Sequence, residues 1–299
     1  MSLRGTWHIL PTPFAADGTL DTGSLRRLVE AAASWGLDGL TAMGVMGEPG
    51  ALTADERARA LEAIAAAARG RLPFAVGCTG ASVALVRELV TQARELGAVA
   101  AMVAPPTLLR NVDLLPGFYA EVATFGLPLI IQDEPAATGV LVPVSTLVAC
   151  IDASGARTVK LEEPPTPPKI SRLLAARPDV EVFGGLGGVS ALSELQRGAC
   201  GTMTGFAYPE VLREIRLAVE SADLAAASRC FDRYLPLIQF EGQPIVGLAI
   251  RKEVLRRRGA LATGRTRGLV PTIDPTTAAE LDDLLGRLGI EPSLAPFRP

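Results

Sequence analysis

Eight short apolar segments, each followed by a stretch of helical periodicity, restrict how this 299-residue chain can fold more than any other feature. Residues typical of buried strands fill TWHIL (6–10), GLTAM (39–43), PFAVG (73–77), VAAMV (99–103), PLIIQ (128–132), RTVKL (157–161), VEVFG (180–184) and GTMTG (201–205). Strands that alternate with helices form parallel sheets through right-handed crossovers. We therefore predict an α/β fold in which residues 1–220 form a (β/α)8 TIM barrel. An open doubly wound sheet is the alternative, disfavoured because no G-x-G-x-x-G stretch opens the first helix.

The segments between the predicted strands carry their own helix signals. Thr53 and Glu56 have the spacing of a capping box, which predicts a helix start at residue 53. Strand-type segments stop before residue 220, and three helical patterns follow, at 222–240, 243–259 and 274–289. No Gly/Ser-rich linker precedes them. We predict that residues 221–299 form a C-terminal helical appendage packed on the barrel, so that the chain is one structural unit.

Charge and hydropathy exclude several classes of function. The net charge is −3 and no basic block occurs. That argues against a nucleic-acid partner, because phosphate binding needs clustered Lys and Arg. No apolar run approaches the ~20 residues of a membrane span. The start, MSLRGTWHILPTPF, lacks the long apolar segment of a secretion signal. We predict a cytoplasmic protein that binds neither nucleic acid nor membrane.

Residues that commonly bind metals or form disulfides are few. His8 is the only histidine, which disfavours a His-based metal centre or a Ser-His-Asp triad built on several histidines. The cysteines form no CxxC pair and stand at positions 78, 150, 200 and 230. Free buried thiols are the expectation in a cytosolic protein, with disulfides or a metal site as the less favoured alternatives.

Lys160 indicates chemistry because the chain uses lysine so rarely. Of 29 basic residues, only Lys160, Lys169 and Lys252 are lysines. Alternation along the predicted sixth strand directs Val159 and Leu161 towards the helices, which leaves Thr158, Lys160 and Glu162 pointing inwards. The prolines after Glu163 mark the carboxyl end of the strand, where the functional groups of such barrels gather.

A buried lysine can do what an arginine cannot. Removal from water disfavours the ammonium ion, so the pKa of an interior lysine is expected to fall. The neutral amine can then condense with a ketone to a Schiff base, whereas a guanidinium stays protonated. The alternative is a structural ion pair of Lys160 with Glu162 or Glu163. The strand pattern alone does not decide between these two interpretations.

Several motifs, in their order and spacing, resemble one known family. They are PTPFAADGTLD at the first strand, GVMGEPGALTADER after the second, PLIIQDEPAATG at the fifth, TVKLE at the sixth, and FGGLGG with ELQRGACGTMTG at the last two units. The chain resembles the dihydrodipicolinate synthase / N-acetylneuraminate lyase family, class I aldolases that form a Schiff base with pyruvate or a related 2-oxo acid. The resemblance covers about residues 5–259.

The resemblance implies roles for particular residues. Lys160 becomes the Schiff-base lysine, and Thr12 and Gly185 become substrate-binding residues. A carboxylate-binding turn is implied for Gly44, Val45, Met46, Gly47 and Glu48, since glycines let backbone N–H groups approach an oxyanion. A plain βα turn is the alternative for this stretch. Glu48 is expected to orient the turn through hydrogen bonds, with direct participation in the chemistry as its alternative.

Departures from the family pattern limit what the resemblance implies. The hydroxyl-bearing positions of the turn are Val45 and Met46, and the fifth-strand tyrosine is Gln132, which does not titrate near neutral pH. The arginine that meets a second carboxylate in the synthases falls on Ala137. We therefore expect an enzyme other than dihydrodipicolinate synthase itself, and a substrate without a second carboxylate.

The remaining polar groups of the site could take over proton transfer. Gln132 and Glu162 are expected to face the same space as Lys160, and Glu162 could be the general base. A solvated acid in the loop is the alternative for Glu162. Asp133 is expected to face away from the interior in a structural role. Glu134 lies at the strand end and could either face the site or have a structural role.

These inferences combine into one functional hypothesis. We predict a class I lyase or aldolase that acts on pyruvate or another 2-oxo acid, with catalytic residues Lys160, Gln132 and Glu162. It needs no metal and no organic cofactor, because the imine supplies the electrophile. A 2-oxo-3-deoxy sugar acid dehydratase and a non-catalytic 2-oxo acid or sugar acid-binding relative are the alternatives. The resemblance also implies a homo-oligomer, either a dimer or a tetramer.

Overall fold

Eight parallel strands close into a barrel in chain order, with β1 paired to both β2 and β8. The computed structural model describes residues 3–107, 109–267 and 270–299. The strands are β1 (Gly5–Ile9), β2 (Gly39–Ala42), β3 (Phe74–Gly77), β4 (Ala100–Val103), β5 (Leu129–Asp133), β6 (Thr158–Leu161), β7 (Glu181–Gly184) and β8 (Gly201–Thr204). The predicted TIM barrel is confirmed, and the open sheet is excluded because β1 and β8 pair.

Helices follow each strand and continue beyond the eighth unit. They are α1 (Thr22–Ser34), α2 (Ala54–Ala68), α3 (Val83–Glu95), α4 (Leu115–Ala123), α5 (Pro135–Thr138), α6 (Val144–Ser154), α7 (Thr166–Ala176), α8 (Ala191–Gln196), α9 (Pro209–Glu220), α10 (Leu224–Glu241), α11 (Gly247–Arg257) and α12 (Pro275–Leu288). Single 3₁₀ turns lie at Val45–Gly47, Pro49–Ala51, Val112–Leu114 and Leu186–Gly188. Within the described part of the chain, no helix is long and apolar enough to cross a membrane.

The helix start predicted at Thr53 is present. The Glu56 N–H donates to the Thr53 hydroxyl over 3.2 Å, and the Thr53 N–H donates to the Glu56 carboxylate over 3.1 Å. This reciprocal capping box supplies partners for two N–H groups that the helix itself leaves open. The first residue of α2 is accordingly Ala54.

Strand alternation divides the apolar core into two parts. Inward side chains, among them Trp7, Met102 and Phe183, fill the barrel interior. Outward side chains, including Val159 and Leu161 on β6, pack under the helices in a larger cluster. Because Lys160 lies between these last two residues, it points into the barrel, as predicted.

The C-terminal helices are joined to the barrel by a buried ion pair. Arg258, just after α11, donates to the Glu210 carboxylate of α9 over 2.6 Å and to the Ala207 carbonyl over 2.6 Å. Its guanidinium also stacks on Trp35 and Tyr208, at 4.0 and 4.4 Å from the ring centroids. This contact fixes α11 against the barrel end of the eighth unit.

His8 and the cysteines are structural groups of the core. His8 lies on the outward side of β1 against Trp35, and burial lowers the pKa of its imidazole to about 3. All four cysteine thiols are free, with Cys230 half-buried and the other three buried. The described residues contain no group of three or more His, Cys, Asp or Glu side chains that could hold a metal ion.

Glu194 should make stability depend on pH. It lies buried on α8, where the Thr166 hydroxyl donates to its carboxylate, and burial raises its pKa from 4.5 to about 7. Between these values the folded state holds one proton more than the unfolded state, so rising pH lowers the free energy of unfolding. The free energy of unfolding falls by up to about 3 kcal/mol, because one pKa unit corresponds to ~1.4 kcal/mol.

Glu194→Gln should remove this part of the pH dependence. Urea unfolding of both proteins at about pH 5 and about pH 8 measures it. We expect the free energy of unfolding to fall less between these two pH values in the variant than in the wild type. The other buried carboxyls with raised pKa values contribute equally to both proteins; they are Asp133, Glu134 and Glu241. Equal declines would show that Glu194 is already ionised in the folded protein at low pH.

Candidate active site

A cavity of about 340 Å³ opens at the carboxyl end of the barrel. Its walls come from the ends of β1, β6 and β8, from the loops after β2, β5 and β7, and from the C-terminal helices. They are formed by Ile9, Val45, Met46, Glu134, Lys160, Glu162, Leu186, Gly187, Val189, Met203, Thr204, Gly205, Gly242 and Arg251. Four charged residues, Glu134, Lys160, Glu162 and Arg251, therefore share one partly apolar space.

Lys160 forms an ion pair at the base of this cavity. Its ammonium nitrogen lies 2.7 Å from Glu162 Oε2, and both side chains are buried. The alternative of a solvated, loop-facing Glu162 is excluded, because Glu162 is only 7% exposed. The pair is compatible with both interpretations of Lys160, since the carboxylate that stabilises an ammonium ion can also accept its proton.

Gln132 connects Glu162 with a second carboxyl group. In the sheet register Gln132 stands opposite Lys160, so both side chains enter the same interior space. The Gln132 amide nitrogen donates to Glu162 over 2.8 Å and to Glu134 over 2.6 Å. Burial, and then the charge of Glu162, raise the pKa of Glu134 to about 7, although Lys160 opposes this. Glu162 is thus ion-paired with Lys160, whereas Glu134 readily keeps a proton.

Gly185 leaves the space that Glu162 occupies. A Cβ atom at position 185 would lie 2.3 Å from Glu162 Oε1, so a larger residue would displace the carboxylate. The Leu186 N–H donates to the same oxygen over 3.2 Å. Gly185 thus contacts the glutamate beside Lys160 and is not one of the residues that line the cavity.

A second ion-pair network lies behind the site, on the helix side of the sheet. Lys169 of α7 is 2.6 Å from Asp133 and 2.7 Å from Glu163, and it donates to the Val142 carbonyl over 2.7 Å. Asp133 therefore faces away from the interior, as predicted. The network joins the ends of β5 and β6, which carry Gln132 and Glu162.

The turn at residues 44–48 is held by the C-terminal region. Glu48 has a left-handed backbone with φ 50°, and its carboxylate accepts from the Lys252 ammonium and from the Arg267 N–H over 2.6 Å. Thr12 donates to the Gly47 carbonyl over 2.6 Å. Glu48 and Thr12 thus fix the turn from behind, while Val45 and Met46 line the cavity.

A smaller cavity of about 210 Å³ adjoins the first and shares Val45 and Glu134 with it. Gly44, Gln132 and Ala137 contribute to its walls. The three tyrosines lie elsewhere: Tyr119 donates to the Val103 carbonyl, and Tyr208 and Tyr234 pack on Phe297. No tyrosine therefore occupies the space beside Lys160.

Arg251 is the charged wall residue that the sequence did not indicate. It lies on α11, ninety-one positions from Lys160 by residue number, in a helix whose docking is not readable from local patterns. Its neighbour Lys252 holds Glu48, so α11 both lines the cavity and supports the turn. The only available signal was the run of charged residues in the second C-terminal helical pattern.

Comparisons with known proteins identify the family of this closed (β/α)8 barrel. Residues 2–279 match the Dihydrodipicolinate synthetase family, and the chain belongs to that family. It is therefore a lyase-type enzyme. The resemblance carried by the sequence motifs is confirmed.

Two relatives and two solved structures show how far the similarity extends. L-2-keto-3-deoxyarabonate dehydratase of Azospirillum brasilense is 30% identical over 293 residues, covering 95% of this chain and 94% of that protein. The 4-hydroxy-tetrahydrodipicolinate synthase of Acidobacterium capsulatum (strain ATCC 51196) is 31% identical and covers 97% of both chains. Dihydrodipicolinate synthase from Rhodopseudomonas palustris superimposes with a TM-score of 0.91 at 30% identity, covering 95% of this chain and 97% of that one. CdNal from Clostridium difficile, in complex with mannosamine, shares the fold with a TM-score of 0.88 at 17% identity, covering 96% of this chain and all of that one.

Proposed function

We propose that this protein is a Schiff-base lyase that removes water from a 2-oxo-3-deoxy sugar acid. The observation that carries the proposal is the group of Lys160, Glu162 and Glu134 in one cavity, where an amine, an ion-paired carboxylate and a carboxyl with a pKa of about 7 meet. The similarity to a relative named as a 2-keto-3-deoxyarabonate dehydratase supports it.

Imine formation uses the Lys160–Glu162 pair. Glu162 accepts a proton from the Lys160 ammonium over their 2.7 Å contact. The neutral amine attacks the C2 ketone of the substrate, and one proton passes from the attacking nitrogen to the oxygen to give a carbinolamine. Glu162 then returns the proton that it holds to this hydroxyl, which leaves as water. The product is a protonated imine, and Glu162 is again a carboxylate.

Elimination then needs a base and an acid at neighbouring carbons. Glu162 removes a proton from C3, and the electron pair forms an enamine with the imine as electron sink. The enamine expels the C4 hydroxyl, which takes the proton of Glu134 and departs as water. Hydrolysis of the remaining imine frees Lys160, and proton exchange with solvent returns Glu162 to the carboxylate and Glu134 to the acid. Gln132 holds both carboxyls in place through its two hydrogen bonds.

Aldol cleavage is the second candidate reaction. Both reactions pass through the Lys160 imine. In aldol cleavage, however, a base must take the C4 hydroxyl proton while the C3–C4 bond breaks, so a protonated Glu134 gives aldol cleavage no advantage.

We further propose that the chain is not a dihydrodipicolinate synthase. The absence of a tyrosine beside Lys160 and the alanine at position 137 support this.

Product analysis separates these reactions. The purified protein is incubated with synthetic five- and six-carbon 2-oxo-3-deoxy acids, and the products are identified by NMR and mass spectrometry. We expect a product lighter than the substrate by one water molecule and no pyruvate. Release of pyruvate together with an aldehyde would contradict dehydration and show that the enzyme catalyses aldol cleavage.

The assembly that the resemblance implies and the predicted cytoplasmic location belong to the same proposal. We propose a dimer or tetramer that works in the cytoplasm on a small 2-oxo acid. Light scattering of the purified protein tests the assembly, and a monomer at all concentrations would contradict it.

A further inference from the structure

Arg251 is the one charged group of the cavity wall that the proposed chemistry does not use. It reaches the cavity from α11, and its side chain is 13% exposed. Among the described wall residues it is the only cation besides Lys160, whose nitrogen becomes part of the imine. A substrate carboxylate in the cavity therefore has one positive side chain outside the reacting group with which it can pair.

The guanidinium of Arg251 lacks partners that match its charge. An arginine offers five N–H donors and forms its strongest contacts as a fork with a carboxylate. Among the described residues Nε is buried without a hydrogen-bond partner, and the nearest carboxylate, that of Glu241, is 3.8 Å away. An incompletely paired buried cation is costly, so the site is prepared for an anion from outside the chain.

Glu241 does not satisfy this demand. One of its oxygens accepts from the Ala207 N–H over 2.9 Å, and the other has no hydrogen-bond partner among the described residues. Burial raises its pKa to about 7, so it carries only part of a negative charge near neutral pH. Arg258, the other buried arginine of this region, by contrast donates to Glu210 through two nitrogens.

One end of the Arg251 guanidinium contacts the turn at residues 44–48. Nη1 lies 3.2 Å from the sulfur of Met46, a weak acceptor. The resemblance places the binding site of the C1 carboxylate in this turn, but the two positions that carry hydroxyls in the family are Val45 and Met46 here. The hydrogen bonds of those hydroxyls are therefore missing, and the contact with Met46 brings a guanidinium to the same place.

The other end of the guanidinium lies near Glu162. A Cβ atom at Gly187 would lie 2.6 Å from Nη2, and one at Gly185 would lie 2.3 Å from Glu162 Oε1. Both glycines belong to one tight turn, because the Gly188 N–H donates to the Gly185 carbonyl over 2.9 Å. Burial lowers the pKa of Arg251, and the charge of Glu162 is one of two that oppose this. No nitrogen of Arg251 comes within 4.0 Å of the Glu162 carboxylate in the described chain, so a gap separates the two groups.

The C1 carboxylate of a 2-oxo acid must lie in this part of the cavity. C1 is bonded to C2, the carbon that Lys160 attacks, so the carboxylate carbon of the imine is two bonds from Nζ. Charge then selects its direction. Glu162 and an ionised Glu134 repel an anion, whereas Arg251 attracts it. The carboxylate therefore points from Lys160 towards the guanidinium and the turn that the guanidinium contacts.

We propose that Arg251 is a substrate-binding residue that pairs with the C1 carboxylate of the 2-oxo acid and replaces the hydroxyls that the turn at residues 44–48 lacks. The inference rests on the proposed function only in taking a 2-oxo acid as the substrate, and it holds for dehydration and aldol cleavage alike. Two guanidinium N–H groups match a planar carboxylate. The pairing orients C2 towards Lys160 and makes an acid group at C1 a requirement for tight binding.

Calorimetric titration with pyruvate and pyruvamide tests the proposal. The two ligands have the same shape and the same ketone, but only pyruvate carries a charge at C1. We expect the wild type to bind pyruvate at least about 10-fold more tightly. Arg251→Met should weaken pyruvate binding by about 10- to 100-fold, the usual effect of one charge-assisted contact, and leave pyruvamide binding unchanged. Arg251→Lys should keep part of the preference, because it keeps the charge without the fork.

Arg256→Met is the matched control, because Arg256 lies on the same helix, is 45% exposed and pairs only with Glu253 among the described residues. It should bind both ligands like the wild type. Arg251→Gln, which keeps a polar end without the charge, should lose the preference as Arg251→Met does, and it decides the question if Arg251→Met does not fold.

Two results would overturn the proposal. Unchanged pyruvate binding in the neutral Arg251 variants would show that the guanidinium does not meet the C1 carboxylate. Equal losses for pyruvate and pyruvamide would show that Arg251 only supports the shape of the cavity. Reductive trapping of the same samples reports imine formation separately. An absence of adducts in the wild type would contradict the Schiff-base function, while the ratio of the two affinities still decides the role of Arg251.

Discussion

Lys160→Arg should lose all covalent capture of a 2-oxo acid and nearly all turnover. In the wild type, borohydride reduction in the presence of pyruvate should add the mass of the reduced adduct to the peptide that contains Lys160. Arginine keeps a positive charge beside Glu162 but cannot form an imine. We expect turnover to fall by at least about a thousandfold, which is ~4 kcal/mol of transition-state stabilisation. Peptide mapping and steady-state rates measure the two effects.

The chain contains its own controls for this experiment. Lys169 and Lys252 are the only other lysines, and both are buried in ion pairs outside the cavity wall. They should remain unmodified. Circular dichroism and thermal unfolding verify that Lys160→Arg folds, and Lys160→Met provides a variant of similar length without charge. An adduct on another lysine, or a Lys160→Arg enzyme that keeps its rate, contradicts the imine mechanism.

Glu162→Gln should separate imine formation from proton transfer. The amide keeps the size of the side chain but cannot accept a proton from C3 of the substrate. We expect turnover to fall by about 10²- to 10⁴-fold, the usual contribution of a general base. Reductive trapping at Lys160 should be slower but still reach a full yield, because Glu162 no longer moves the proton of imine formation, whereas a lysine without its carboxylate partner is more easily neutral in a buried site. Rates and trapping yields are measured on the same protein samples.

Two variants show whether the effect is specific to Glu162. Glu163→Gln changes the adjacent acid, which pairs with Lys169 on the helix side, and should turn over like the wild type. Gly185→Ala leaves Glu162 in the chain but adds a methyl group 2.3 Å from its Oε1. It should lower turnover in the same direction as Glu162→Gln. Wild-type rates in Glu162→Gln, or equal losses in Glu163→Gln, would remove Glu162 from the mechanism.

The three lysines have a common structural context. Each ammonium lies in a buried ion pair: Lys160 with Glu162, Lys169 with Asp133 and Glu163, and Lys252 with Glu48. One of them lies in the cavity, one joins the ends of β5 and β6 behind it, and one holds the turn at residues 44–48. A compact ammonium with three donors suits such enclosed sites better than a broad planar guanidinium. The scarcity of lysine therefore indicated more than the Schiff-base position alone.

Much of the fold followed from local patterns. The predicted strands agree with the observed ones to within one residue at each end, because a buried parallel strand is a short continuous apolar segment bounded by turn residues. The inward direction of Lys160 followed from the same alternation, since Val159 and Leu161 on either side of it are apolar. The Thr53 cap was readable because both of its hydrogen bonds join residues three positions apart.

Local sequence patterns were sufficient to predict the eight-unit barrel, the interior position of Lys160 and the family. The groups that meet Lys160, and what surrounds them, depend instead on contacts between residues far apart in the chain. The hydrogen bond from Gln132 to Glu162 spans thirty residues, and the ion pair of Lys252 with Glu48 spans 204. Local periodicity fixes the face on which a side chain lies, but it does not fix how α11 docks across the barrel mouth. That docking, set by long-range packing and by the Arg258–Glu210 pair, brings Arg251 into the cavity.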